Sequence, residues 1–148
     1  ILGTAFLMRK RYMSLYFELE SLKAKKSKVS VTDDTVKKIE SVIAYLKENF
    51  KEELSREGLA AKVDMHYDYF GKLFKVYTGK KINDYINELR VQYAAELLII
   101  NKMSVTEIAF DSGFESLSTF YRIFQKLLGV SPKHYKEIQD KTDDKGMV

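Results

Sequence analysis

The residues best placed to do chemistry in this chain are cations that recur in matched positions. Lys72 follows Phe70-Gly71 and precedes Leu73-Phe74; Arg122 follows Phe120-Tyr121 and precedes Ile123-Phe124. A lysine can neutralise a phosphate, and an arginine can also fork onto the acceptor edge of guanine. Residues 65–81 and 116–136 together hold eight basic side chains, among them Lys75, Lys80, Lys81 and Lys126, against one acid, Asp68. Such a local surplus fits a polyanionic partner; on charge alone it equally fits a solvated helix face. Other chemistries are poorly supplied. The chain has no cysteine, which removes a disulfide framework, a thiolate metal site and a cysteine nucleophile. Its two histidines, His66 and His134, stand far apart in sequence and do not suggest a metal or general-base cluster. No phosphate loop is present. The residues describe a binding protein, not an enzyme, with no metal or cofactor.

The matched cations belong to a longer repeat. Leu59-Ala60 and Met65 return 49 residues later as Ile108-Ala109 and Phe114. Phe70, Lys72, Leu73, Phe74, Gly79 and Tyr85 return 50 residues later as Phe120, Arg122, Ile123, Phe124, Gly129 and Tyr135. One extra residue therefore lies between Phe114 and Phe120. Each copy reads as a short helix, a turn, a longer helix and a glycine stop. A doubled unit suits a partner that repeats itself, and duplex DNA is the obvious candidate.

The elements that must position these residues are all helical. Thr32 is a good N-cap, followed by a helix with Val36, Ile39, Ile43, Leu46 and Phe50 on one face. Ser55 caps a short helix over about 56–63, Asp64 sits in a turn, and a longer helix over 67–78 buries Phe70, Leu73, Phe74 and Tyr77 before Gly79. A helix over about 83–100 follows, with Ile86, Leu89, Tyr93 and Leu97 inward and Ile100 a further candidate; its length suits a rod between two helical lobes. Ser104 and Glu107 form a capping box for the next short helix. Gly113 supplies its turn, and Ser116 caps a helix over 117–128 that Gly129 ends. Ser131-Pro132 opens a last helix to about Gln139.

Charge separates the flanks from this core. Residues 1–29 are net +5 and the remainder net −1. The apolar stretch 1–8 ends at Arg9-Lys10-Arg11. It is too short to span a bilayer, which takes about 20 residues, but it fits the last turns of a membrane helix with its cytoplasmic end at the basic cluster. An amphipathic or unstructured tail is the alternative. Met8, Tyr12, Leu15, Leu19 and Leu22 form a short heptad stripe able to pair two chains as a homodimer. The expected organisation is an N-terminal segment over 1–29, a domain over 30–139 and a polar, disordered tail over 140–148.

A short helix, a turn and a longer helix constitute the helix-turn-helix unit, whose second helix can enter the major groove. In the second copy Ser118, Thr119 and Arg122 face away from the apolar anchors, with Lys126 one turn on for phosphate. The first copy offers Asp68, Gly71 and Lys72 there, with Lys75 for phosphate. Asp68 could accept from a cytosine amino group but repels phosphate, and Gly71 presents no side chain, so the first copy is expected to read sequence less sharply. The alternative function is a helical protein-interaction module, favoured by the near-neutral charge of residues 30–148.

From about Thr35 to Lys136 the chain resembles the AraC/XylS DNA-binding domain. The resemblance rests on Leu59-Ala60, Leu73-Phe74-Lys75, Thr78-Gly79, Leu89-Arg90-Val91, Ala94, Glu96-Leu97-Leu98 and Ile108-Ala109. It continues through Gly113-Phe114, Ser118, Phe120, Arg122, Phe124, Lys126, Gly129-Val130-Ser131-Pro132 and Tyr135. It implies seven helices in two helix-turn-helix subdomains joined by a linker helix, docking in successive major grooves about 34 Å apart. It implies a cytoplasmic transcription regulator, usually an activator, with promoter DNA as partner and RNA polymerase as a second. Carried over by position, the base-reading residues are Asp68, Gly71 and Lys72, then Leu117, Ser118, Thr119 and Arg122. Lys75, Lys80, Lys81 and Lys126 would meet phosphate. The sequence departs from the family pattern at His66, where Ser or Thr usually caps, and at Asp64, Gly71 and Leu117. The usual N-terminal effector domain is missing from this chain; an upstream sensor would replace it if residues 1–11 end a membrane helix.

Overall fold

A computed structural model describes residues 32–100 and 102–146. The stripe at 8–22 and the apolar stretch at 1–8 lie outside these residues. The described residues form seven α-helices and no strand: α1 Asp33–Asn49, α2 Arg56–Lys62, α3 Tyr67–Thr78, α4 Ile82–Ile100, α5 Val105–Asp111, α6 Leu117–Leu128 and α7 Pro132–Gly146. None of these helices is long and apolar enough to cross a membrane.

Helix starts follow the local chemistry. The Ser55 hydroxyl accepts from the Gly58 N–H at 3.0 Å. Ser104 and Glu107 complete the capping box: the Ser104 N–H donates to Glu107 Oε2 at 2.8 Å, and the Glu107 N–H donates to Ser104 Oγ at 3.2 Å. Two otherwise unsatisfied backbone donors are thereby paired.

The helices divide into two compact units. The first comprises α1 as far as Leu46 and residues 54–84. Its core draws Ile39, Val42 and Leu46 from α1, Leu59 and Ala60 from α2, and Phe70, Leu73 and Phe74 from α3. The buried Thr78 hydroxyl donates to the Phe74 carbonyl at 2.7 Å and accepts from the Lys80 N–H at 3.2 Å, so it is not left unsatisfied.

The second unit comprises residues 47–53 and everything described from Tyr85 onward. Its core joins Val91, Ala94, Ala95 and Leu98 of α4 to Ile108 and Ala109 of α5, and to Phe120, Ile123 and Phe124 of α6. Phe114, Phe120, Phe124 and Tyr135 form a continuous aromatic row, with successive centroids 5.2, 5.5 and 5.6 Å apart. Arg90 fastens the 50–52 segment onto this unit: Nε donates to the Phe50 carbonyl at 2.7 Å and Nη2 to the Glu52 carbonyl at 2.8 Å. Burial lowers the Arg90 pKa, partly offset by Glu115.

Two expectations need correction. In α4 Ile86 is buried as expected, but Leu89, Tyr93 and Leu97 are only half-buried and Ile100 is 80% exposed. The buried stripe beyond it is Val91, Ala94, Ala95 and Leu98, at helical spacing. Periodicity weighted by large side chains passes over alanines, although their small volume suits a close helix approach. The last helix runs beyond Gln139 to Gly146, so residues 140–146 continue α7. No proline or glycine lies between Pro132 and Gly146.

Candidate nucleic-acid interface

Each unit contains a short helix, a turn and a longer helix. The first turn is 63–66, and the second, 112–116, is one residue longer. His66 and Ser116 are the matched caps, so the extra residue of the repeat is Glu115. Asp64 takes a left-handed conformation in the first turn, with φ 54°. Gly113, with φ 96°, serves the second. A Cβ at Gly113 would lie 2.8 Å from Lys51 Cα and 2.9 Å from the Lys51 carbonyl oxygen, so glycine is needed for space as well as for φ.

The longer helices present the expected faces, except that Tyr77, expected in the core of the first unit, is only half-buried. On α6 Phe120, Ile123 and Phe124 are buried, while Ser118, Arg122 and Lys126 are exposed. Thr119 is half-buried, and its hydroxyl accepts from Ser116 at 2.9 Å. Leu117 is also half-buried and packs partly against the second core, leaving only part of its surface outward. On α3 Phe70, Leu73 and Phe74 are buried, and Asp68, Lys72 and Lys75 are exposed. The His66 ring caps α3 by accepting from the Asp68 N–H at 3.4 Å, a long bond beside the Ser55 cap.

In the first unit Asp68, Gly71, Lys72, Lys75 and Lys81 come together around an open groove of about 770 Å³, which Ser55, Arg56 and Glu57 also line. Lys80 does not line it. Among the described residues, Lys72, Lys75, Lys81, Arg122 and Lys126 hold no ion pair. Their charges remain available to a polyanion.

Three residues of these faces escaped the sequence reading. Tyr121, 40% exposed, occupies on α6 the register position that Gly71 occupies on α3, and Gln125 occupies that of Lys75. The 50-residue offset, applied to Gly71 and Lys75, leads to both. Arg56 is the third: its guanidinium approaches Asp68 Oδ1 at 4.0 Å. The signal for it was a cation in the first turn of a helix, where the dipole favours acids.

Two helix-turn-helix units, each with an apolar anchor face and a polar, cationic outward face, define a helix-turn-helix class of protein. The helix-turn-helix domain family matches residues 59–138. The chain belongs to that family, among the AraC/XylS-type transcription regulators. It is 30% identical over 119 residues to an uncharacterized HTH-type transcriptional regulator of Pseudoalteromonas carrageenovora, covering 80% of this chain and 70% of that protein. It is 29% identical over 126 residues to the HTH-type transcriptional activator RhaS of Escherichia fergusonii, covering 85% of this chain but only 45% of that protein. The chain thus spans less than half of RhaS. Among solved structures, it is similar to the DNA-binding domain of AdpA, a global transcriptional factor, in complex with a target DNA. That match has a TM-score of 0.65 and 31% identity, and covers 68% of this chain and 90% of the other.

Proposed function

We propose that this domain binds double-stranded promoter DNA in the cytoplasm, with α3 and α6 as recognition helices entering successive major grooves. The observation that carries the reading is the matched pair Lys72 and Arg122, exposed at the same register of two helices and free of ion pairs among the described residues. Arg122, with Ser118 and Thr119, reads base edges in the second half-site. Lys72, Asp68 and Gly71 face the first, and Leu117 offers apolar surface to a thymine methyl. Lys75, Lys80, Lys81 and Lys126 hold phosphate and set the register without reading sequence. Activation, with RNA polymerase as a second partner, is supported by the likeness to an activator.

Arg122→Ala should cost about 1–3 kcal/mol on a selected duplex and relax preference at one base step. Equal loss on selected and random duplexes would contradict a base-reading role. Lys126→Ala should instead weaken both alike and lower the slope of log K against log salt by about 1. Binding that does not change with salt would contradict the DNA reading itself.

A further inference from the structure

The first unit carries an arginine that the repeat does not explain. Arg56 opens α2, directly after the Ser55 cap, where the helix dipole disfavours a cation. Other contacts hold it. Its Nη2 lies 4.0 Å from Asp68 Oδ1 and 4.0 Å from Glu57 Oε1. Its Cζ lies 4.9 Å from the centroid of the Tyr67 ring. The side chain crosses α3 at Gly71, where a Cβ would come 3.3 Å from Arg56 Cδ and 3.7 Å from Nη1. At the matching position of the second unit, Tyr121 projects a side chain. The space that α3 leaves open at Gly71 is therefore taken by an arginine arriving from α2.

We propose that Arg56 is a base-reading residue of the first unit, admitted by Gly71 and positioned by Asp68, with the acceptor edge of guanine as its target. The proposal rests on the DNA-binding function above. The planar guanidinium fork matches the two acceptors of guanine bidentately, where lysine offers a point charge on a flexible stem. Contact with the Asp68 carboxylate and the Tyr67 ring restricts the side chain before DNA arrives, so less freedom is lost on binding. Asp68 acts as a positioning residue, and its charge, otherwise adverse beside phosphate, is offset by Arg56. Each unit then reads with one arginine, Arg56 from the short helix of the first and Arg122 from the long helix of the second.

The test uses the full chain and a duplex enriched from a random pool, with each base pair then changed in turn. Arg56→Ala should lower discrimination about 5- to 150-fold at one step of the first half-site and leave the other half-site unchanged. Arg56→Lys keeps the charge without the fork; it should retain most of the affinity yet lose that discrimination. Asp68→Asn should relax the same step, with little further loss when combined with Arg56→Ala. Unchanged base preferences in Arg56→Ala would overturn the proposal. So would full discrimination in Arg56→Lys, which shows that a charge without the fork suffices, or an Asp68→Asn variant that leaves that step unchanged. A wild-type chain that enriches no duplex would overturn the DNA-binding function itself, a result distinct from intact selection indifferent to Arg56.

Discussion

Replacing Gly113 with alanine perturbs the turn of the second helix-turn-helix at its tightest point. Two costs add. At φ 96° an L-residue is strained, by about 1–2 kcal/mol. The new methyl group would also lie 2.8 Å from Lys51 Cα and 3.0 Å from Arg90 Nε. Lys51 Cα is backbone, and Arg90 is tied to two carbonyls, so neither moves aside cheaply. Overpacking of this kind costs a further ~1–3 kcal/mol. Gly129 provides the internal control. Its φ of 79° carries similar strain, but an added Cβ meets nothing within 4 Å. Gly113→Ala should therefore destabilise by about 1–3 kcal/mol more than Gly129→Ala, a gap of roughly 4–12 °C in Tm at about 4 °C per kcal/mol. Thermal unfolding followed by circular dichroism measures both, and DNA binding near the transition should fail first in Gly113→Ala. Equal losses in the two variants would refute the close approach to Lys51 as the reason for glycine.

Two further predictions concern titration. Hydrogen bonds from the Ser104 backbone and side chain hold the Glu107 carboxyl below its ordinary pKa of 4.5. The folded pKa is the lower one, so this stabilisation is present above about pH 4.5 and lost as pH falls through the folded value. The Tm difference between wild type and Glu107→Gln should shrink on acidification, and a constant difference would count against the capping box. Tyr77 donates to Glu40 Oε1 at 2.8 Å, and burial, then this bond, push its phenol up to about 12. Its contribution is full below the ordinary value of 10.0 and declines as pH rises towards about 12. Tyr77→Phe should cost about 0.5–1.5 kcal/mol at neutral pH and flatten the alkaline limb of stability; an unaltered limb would remove Tyr77 as its source.

What was legible in the sequence was chiefly local. The Ser55, Ser104 and Ser116 caps, Asp64 in its turn and the glycine stops depend on neighbours within a few residues, and all lie where the spacing puts them. The repeat exposed the anchors Phe70, Phe74, Phe120 and Phe124, each fully buried. What escaped depends on tertiary contact. Arg56 gains meaning only when α2 folds beside α3 and Gly71 leaves room for it. Ala94 and Ala95 are buried because small side chains suit a close approach, which hydrophobic periodicity does not register. The end of α7 is not legible because a polar composition does not separate an exposed helix from disorder; the Thr142 hydroxyl donates to the Ile138 carbonyl at 2.8 Å within a continuing helix.

The central claim is that two related units read one duplex at two unlike half-sites. Selection of bound duplexes from a random pool, using the full chain, tests it most directly. The expected product contains two enriched blocks, centred about 10–10.5 base pairs apart and different in sequence. Enrichment of no sequence, or of a single block with random flanks, would contradict it.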